Sequence, residues 1–132
     1  MSGVISIIAF IVVLSIIVVI HEFGHFIAAK RFGVYCSEFS IGMGPAIYQK
    51  EGKETTFSIR AFPIGGYVQM AGEEGVEIND IPFERTIKGI PAYKQIIIMV
   101  AGALMNVLLA YVAVSYTHLT FVFASFFLSV LK

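Results

Sequence analysis

Apolar positions fill two long stretches of this chain, and polar ones gather between them. From Gly3 to about Ala29 the residues are almost continuously apolar, and a second such stretch runs from Gln95 to about Ser115. A helix needs roughly 20 apolar residues to cross about 30 Å of hydrocarbon. Both stretches therefore predict membrane-spanning helices, one within residues 1–30 and one over 95–115. The first does not read as a cleaved signal peptide: no basic segment precedes it, and its apolar run is too long.

The segment between, residues 31–94, follows a different period. Phe57, Ile59 and Ala61 alternate with Ser58 and Arg60, the period-2 pattern of a half-buried strand. "AIYQK" (46–50) and "TTFSIRAF" (55–62) predict two strands joined around Lys50-Glu51-Gly52-Lys53, and "GGYVQM" (65–70) predicts a further short strand. The acidic, Gly-containing stretch "AGEEGVEIND" (71–80) predicts a mobile connector. The fold class expected is an α-helical membrane protein, with two transmembrane helices and a cytoplasmic-side, membrane-associated β-hairpin inserted between them.

Composition agrees with this pattern. Hydrophobic residues make up 58% of the 132 and charged residues only 14%, with a mean hydropathy of +0.86; soluble domains carry about 25% charged residues. Net charge is zero, yet eight of the nine Lys and Arg residues fall between 30 and 94. Cationic loops stay in the cytosol, so residues 31–94 are expected inside and the N-terminus outside. The single cysteine, Cys36, has no intrachain disulfide partner and reads as a packed thiol.

Candidate chemistry lies within the first apolar run. "HEFGH" places His21, Glu22 and His25 where the sequence otherwise suits lipid. Residues four apart share a helix face, so His21 and His25 can both reach one metal ion. Zinc lowers the pKa of a bound water to about 7 and polarises a carbonyl. Glu22 is placed to act as general base on that water and later as acid toward the leaving amine. Ionisable groups at such depth cost about 2.5–3.5 kcal/mol each, which makes them functional candidates. The alternative is a pair of interfacial histidines with Glu22 paired to a loop cation. Counting from Arg31 at 1.5 Å per residue, His25 lies about 9 Å inward and His21 about 15 Å. In the second helix Gly102, Asn106 and Ala110 share one face, opposite a small pair, Gly24 and Ala28. Asn106 fits either helix–helix contact or a place in the catalytic site.

"HEFGHFIAAKRFGV", "FSIGMGPAIY", "FPIGGYVQM" and "AGALMNVLLA", in that order, resemble the site-2 protease family of intramembrane zinc metalloproteases, most closely the bacterial branch that includes the regulator of sigma-E protease. The resemblance implies zinc bound by His21 and His25, catalysis by Glu22, and substrate handling around Gly65, Gly66 and Tyr67. It implies single-pass membrane proteins as substrates, such as anti-sigma factors or signal-peptide remnants, and residence in the bacterial inner membrane as a multi-pass protein. The lipid bilayer is the other expected partner; no nucleic-acid partner is expected. Ala103 stands where the family usually has proline. The family's third zinc ligand is an Asp in a later Asn-Pro…Leu-Asp-Gly helix, whereas the one aspartate here, Asp80, lies in the connector. The family's PDZ domains and last two helices are also absent. The chain reads as the N-terminal part of such an enzyme, expected to be inactive alone. Two other readings stay open: a non-catalytic membrane interaction module, and a membrane-bound zincin cutting at the surface.

Residues 116–132 form a separate, divergent apolar tail in this reading. Ile96 to Leu131 as one helix would span about 54 Å, too long for one crossing, and "VSYTHLT" (114–120) predicts a break. VSYTHL is also what a common sequencing-adapter DNA encodes in one frame, so the resemblance is expected to stop near Val114. His118 is expected to be an interfacial residue and not a ligand.

Overall fold

The computed structural model describes residues 2–76 and 80–130. Residues 77–79 of the acidic connector and 131–132 of the tail lie outside the described residues. Four main elements follow one another: α1 (Ser2–Arg31), β1 (Cys36–Glu51), β2 (Thr56–Met70) and α2 (Ala92–Val130), with a 3-10 turn at Phe83–Arg85. Two long apolar helices thus flank an antiparallel hairpin.

α1 ends where its backbone bonding requires. Gly33 takes φ +80, Val34 N–H donates to Ala29 O at 3.0 Å and Gly33 N–H donates to Lys30 O at 3.2 Å. This pair of bonds is the Schellman cap, which uses a left-handed residue to satisfy the last carbonyls. Val34 and Ala29 are fully buried at the cap, and Lys30 and Arg31 lie in the last turn, where cations suit the helix dipole. The cap turns the chain straight into β1.

The hairpin differs from the sequence expectation in two ways. β1 begins at Cys36, ten residues before "AIYQK", and "GGYVQM" continues β2 where a separate strand was expected. Gly42, Gly44 and Pro45 suggested a break, but Gly42 and Gly44 take φ +85 and +87 and bend the strand while pairing goes on. Gly65, at φ +81, does the same for β2. Glu51↔Thr56 through Tyr48↔Ile59 pair next to the Gly52–Thr55 turn, whereas Cys36↔Met70 through Ile41↔Gly66 pair at the far end. Residues 38–41 also sit opposite 56–59. The bent strands therefore lie in the order 46–51, 56–59, 38–41, 66–70, and residues 66–70 form an edge.

Phe26 packs tilted on Phe39 and edge to face on Phe57, at centroid distances of 5.4 and 5.9 Å, fixing the sheet to α1. Ala28, Ala29, Val34, Phe39, Val68, Met70 and Ile98 build the small core around that contact. At the other end, Ser15 Oγ donates to Pro63 O, so the hairpin bend lies against the middle of α1, about 15 Å along the axis from His25. Its tip is apolar outside: Ile47 is 71% and Phe62 60% exposed. Only a polar network tempers it. Arg60 donates to Glu38, Ser40 Oγ and Gly44 O, and Tyr67 Oη donates to Glu38 at 2.7 Å.

Two expectations for the connecting segments change. The start of the connector is held, because Ala71 N–H donates to Tyr35 O and Ile87 N–H donates to Ala71 O, leaving Ala71 buried. α2 runs unbroken through 114–120 to Val130, about 58 Å at the helical rise. Its packed face stops near Leu109, and the described residues beyond are exposed. Both helices are long and apolar enough to cross a membrane, and the chain is membrane-associated.

Candidate metal centre

The site forms where α1 and α2 pass closest. A Cβ on Gly24 would lie 2.5 Å from the Ala101 carbonyl oxygen, so the backbones touch there without side chains between them. Gly24 thus packs on Ala101 and Met105, whereas the Gly102 face expected to meet it lies against the histidines. Gly102 is buried against the histidines: a Cβ on it would lie 2.5 Å from His25 Nε2 and 2.8 Å from His21 Nε2. Both Nε2 atoms therefore lie close to the α2 backbone at Gly102, an approach that only glycine permits. The rings sit edge to face, with centroids 4.8 Å apart.

Groups of α2 hold the opposite ring nitrogens. His25 Nδ1 lies 2.7 Å from Ile98 O. A carbonyl only accepts, so Nδ1 carries the proton and Nε2 keeps its lone pair for a metal. His21 Nδ1 lies 3.2 Å from the Asn106 carboxamide nitrogen. Asn106 thus meets a candidate ligand directly, which is more than helix–helix contact. Ile98, reached only through its backbone, was not foreseen; a carbonyl leaves no mark in a sequence.

Glu22 and His25 line a cleft of about 620 Å³, together with Val68 and Met70 of the β2 edge, Gln95, Ile98 and Met99 of α2, and Glu73, Glu74 and Lys88 near its mouth. Glu22 is half-buried, beside the histidines and open to that space.

The donor set fits zinc in part. Two imidazole nitrogens lie together beside Gly102, and that of His25 has its lone pair free. Among the described residues, no group of three or more His, Cys, Asp or Glu side chains is placed to hold a metal. Asp80 lies in the connector, in a left-handed turn at φ +67. His118 lies about 18 Å along α2 from Asn106. His21, Glu22, His25 and Asn106 come together; Gly65, Gly66 and Tyr67 lie in the hairpin and have partners within it. A Cβ on Gly66 would meet Ser40 O at 2.7 Å, and the Tyr67 hydroxyl is held by Glu38 and Arg60.

Two carboxylates of the hairpin, Glu38 and Glu54, are held in ion pairs. Lys30 and Arg85 both bind Glu54, and their hydrogen bonds hold its carboxyl below the usual range. Burial raises the Glu38 carboxyl, but hydrogen bonds from Ser58, Tyr67 and Arg60 outweigh it and hold it low. Burial pushes the Cys36 thiol up to about 11, as expected of a packed thiol.

Comparison with known proteins gives the family. The sequence model of peptidase family M50 matches residues 9–129, continuing past Val114, where the resemblance was expected to stop. A Thermotoga maritima protein named "Putative zinc metalloprotease" is 44% identical over 106 residues, 80% of this chain and 21% of its own length. One so named in Fusobacterium nucleatum is 45% identical over 102 residues, 77% of this chain and 29% of its own length. The "Probable protease eep" of Enterococcus faecalis is 59% identical over 77 residues, 56% of this chain and 18% of its own length. The chain thus spans less than a third of the length of these curated relatives.

Proposed function

This chain belongs to peptidase family M50, the site-2 proteases, and from that footing we propose that it forms the zinc-binding and proton-transfer part of an intramembrane endopeptidase acting on single-pass membrane proteins. The observation that carries this reading is the convergence of His21 and His25 Nε2 over Gly102, with Glu22 beside them on a cleft. His21 and His25 would hold the ion, and a further protein ligand would come from outside the described residues, since catalytic zinc normally has three. By resemblance that ligand is the Asp of a Leu-Asp-Gly helix.

Zinc, when bound, supplies Lewis acidity toward a carbonyl and toward water. The residues of this chain do the rest. Glu22 takes a proton from the attacking water and returns it to the amine that leaves. Ile98 O fixes the His25 ring. Val68 and Met70 place the β2 edge along the cleft. Residues 66–70 pair on one side only, so an unwound substrate segment can add there as a further strand. In this arrangement Gly65 and Gly66 shape the edge, while Tyr67 anchors it through Glu38.

The loop 31–94 faces the cytosol in this proposal, and the active site opens there. A complete enzyme carrying this chain tests the reading. Glu22→Gln should abolish cleavage of a single-pass substrate and keep zinc at the wild-type level, whereas His21→Ala or His25→Ala should lose both. Cleavage by the Glu22→Gln variant, or zinc retained without either histidine, would overturn it.

A further inference from the structure

Asn106 has one polar neighbour among the described residues, and that neighbour is His21. Its Oδ1 is buried without a hydrogen-bond partner. No other bond therefore decides which way the carboxamide is turned, and its two ends differ only in whether they donate or accept. His21 alone sets the choice, and the choice has a chemical consequence.

With the amide nitrogen toward His21, Nδ1 must accept and the ring proton sits on Nε2. That proton would fill the gap at Gly102, where His25 Nε2 also points. With the amide oxygen toward His21, Nδ1–H donates, and both Nε2 lone pairs face the gap. His25 already has this arrangement, because its Nδ1–H can only donate to Ile98 O. Ile98, Gly102 and Asn106 follow one another at four-residue spacing on α2. One helix face thus presents an acceptor for one ring, a space, and an acceptor for the other.

We propose that Asn106 is a positioning residue: its carboxamide oxygen accepts the Nδ1 proton of His21 and so presents His21 Nε2 to the metal. This rests on the reading of His21 as a zinc ligand. Acceptors of this kind fix ring orientation and tautomer, and their loss typically weakens metal binding about 10–100-fold.

The test uses the whole 132-residue chain in nanodiscs, labelled with 15N-histidine, with the His21 signals assigned by their loss in His21→Gln. In the metal-free chain, His21 should show a protonated Nδ1. Asn106→Leu keeps the branched shape without an acceptor and should lose that preference; Asn106→Asp restores an acceptor and should recover it. Zinc binding should weaken about 10–100-fold in Asn106→Leu and return in Asn106→Asp. Helix content by circular dichroism checks that the leucine variant is folded. A wild-type His21 protonated at Nε2 overturns the proposal. So does equal zinc affinity in all three chains. If none of the chains, wild type included, binds zinc while the tautomer still follows residue 106, the positioning of His21 by Asn106 stands, and the same comparison is made in a complete enzyme that carries the third ligand; absence of zinc there would overturn the metalloprotease reading.

Discussion

Replacing Gly102 by alanine should remove zinc without unfolding the helices. The new Cβ would lie 2.5 Å from His25 Nε2, 2.8 Å from His21 Nε2 and 2.9 Å from His21 Cδ2. Ordinary contact between carbon-sized atoms is about 3.5–4.0 Å, so both rings, or the whole of α2, must move by roughly an ångström. Two terms set the stability change. Alanine is the better helix former by about 0.8–1.0 kcal/mol, and overpacking costs about 1–3 kcal/mol. The sum is a loss of about 0–2 kcal/mol, small for a helix pair that also packs through Gly24 and Ile98.

Metal binding has no such offset. Ligand distances tolerate only about 0.2 Å, and the methyl group pushes both rings out of place. Zinc affinity should fall at least 100-fold, more than the loss of the Asn106 acceptor alone would cause. Gly3→Ala, at a position with nothing within 4 Å, is the control and should bind as wild type. The assay is a zinc-binding isotherm in nanodiscs, with helicity followed by circular dichroism. Wild-type zinc affinity in a helical Gly102→Ala chain would refute the reasoning, because the histidines would then not meet over Gly102.

A cysteine placed at Glu51 in a chain lacking Cys36 should react with impermeant maleimide only from the cytosolic side; labelling from outside intact cells would invert the topology. Cys36 itself, with its thiol pushed up to about 11, should be about 0.1% thiolate at pH 8 and react roughly 100-fold more slowly than a free thiol; rapid alkylation of the folded chain would contradict its burial. Glu38 is held low, so its contribution is present above its unfolded pKa and is lost as pH falls through the folded value. Arg60→Met removes a bond that lowers it, and amide exchange at Ser40 and Tyr67 should then begin to quicken at higher pH than in wild type; identical pH profiles would count against the network.

The closeness of His21 and His25 was legible in the sequence because helix geometry is rigid. His21 and His25 four residues apart must share a face, and Gly24 and Gly102 as small residues invite contact between backbones. The hairpin was less legible because its glycines act in two ways. Gly42, Gly44 and Gly65 look like strand ends, yet at positive φ they bend a paired strand without stopping it. The break expected at 114–120 failed for a simpler reason: Ser115, Thr117 and Thr120 can return their hydroxyls to their own helix, as Thr117 Oγ1 does to Ala113 O at 3.1 Å. The cap at Lys30–Val34 did have a signal, a glycine following two cations at the end of an apolar helix. What the sequence could not show was which group meets which ring nitrogen, since Ile98 acts through a carbonyl.

Hydrolysis needs water at a place where both helices suit lipid, and the site divides that conflict between its two sides. Glu22 and His25 line the cleft that reaches past Gln95 to Glu73, Glu74 and Lys88. Asn106, the partner of His21, lines instead an apolar groove of Val13, Ile16, Ile17 and Leu109. Glu22 thus faces the polar opening, while the Asn106 carboxamide beside the deeper histidine faces the apolar side. Gly102 stands between the two histidines, so any ion there would meet the polar cleft through His25 and Glu22 and the dry helix contact through His21. A substrate strand laid along Val68 and Met70 would close the cleft over Glu22, leaving only the water it needs. The same reasoning explains why the β2 edge must lie beside α1 and not out in the loop: the wall it supplies is the one the two helices cannot.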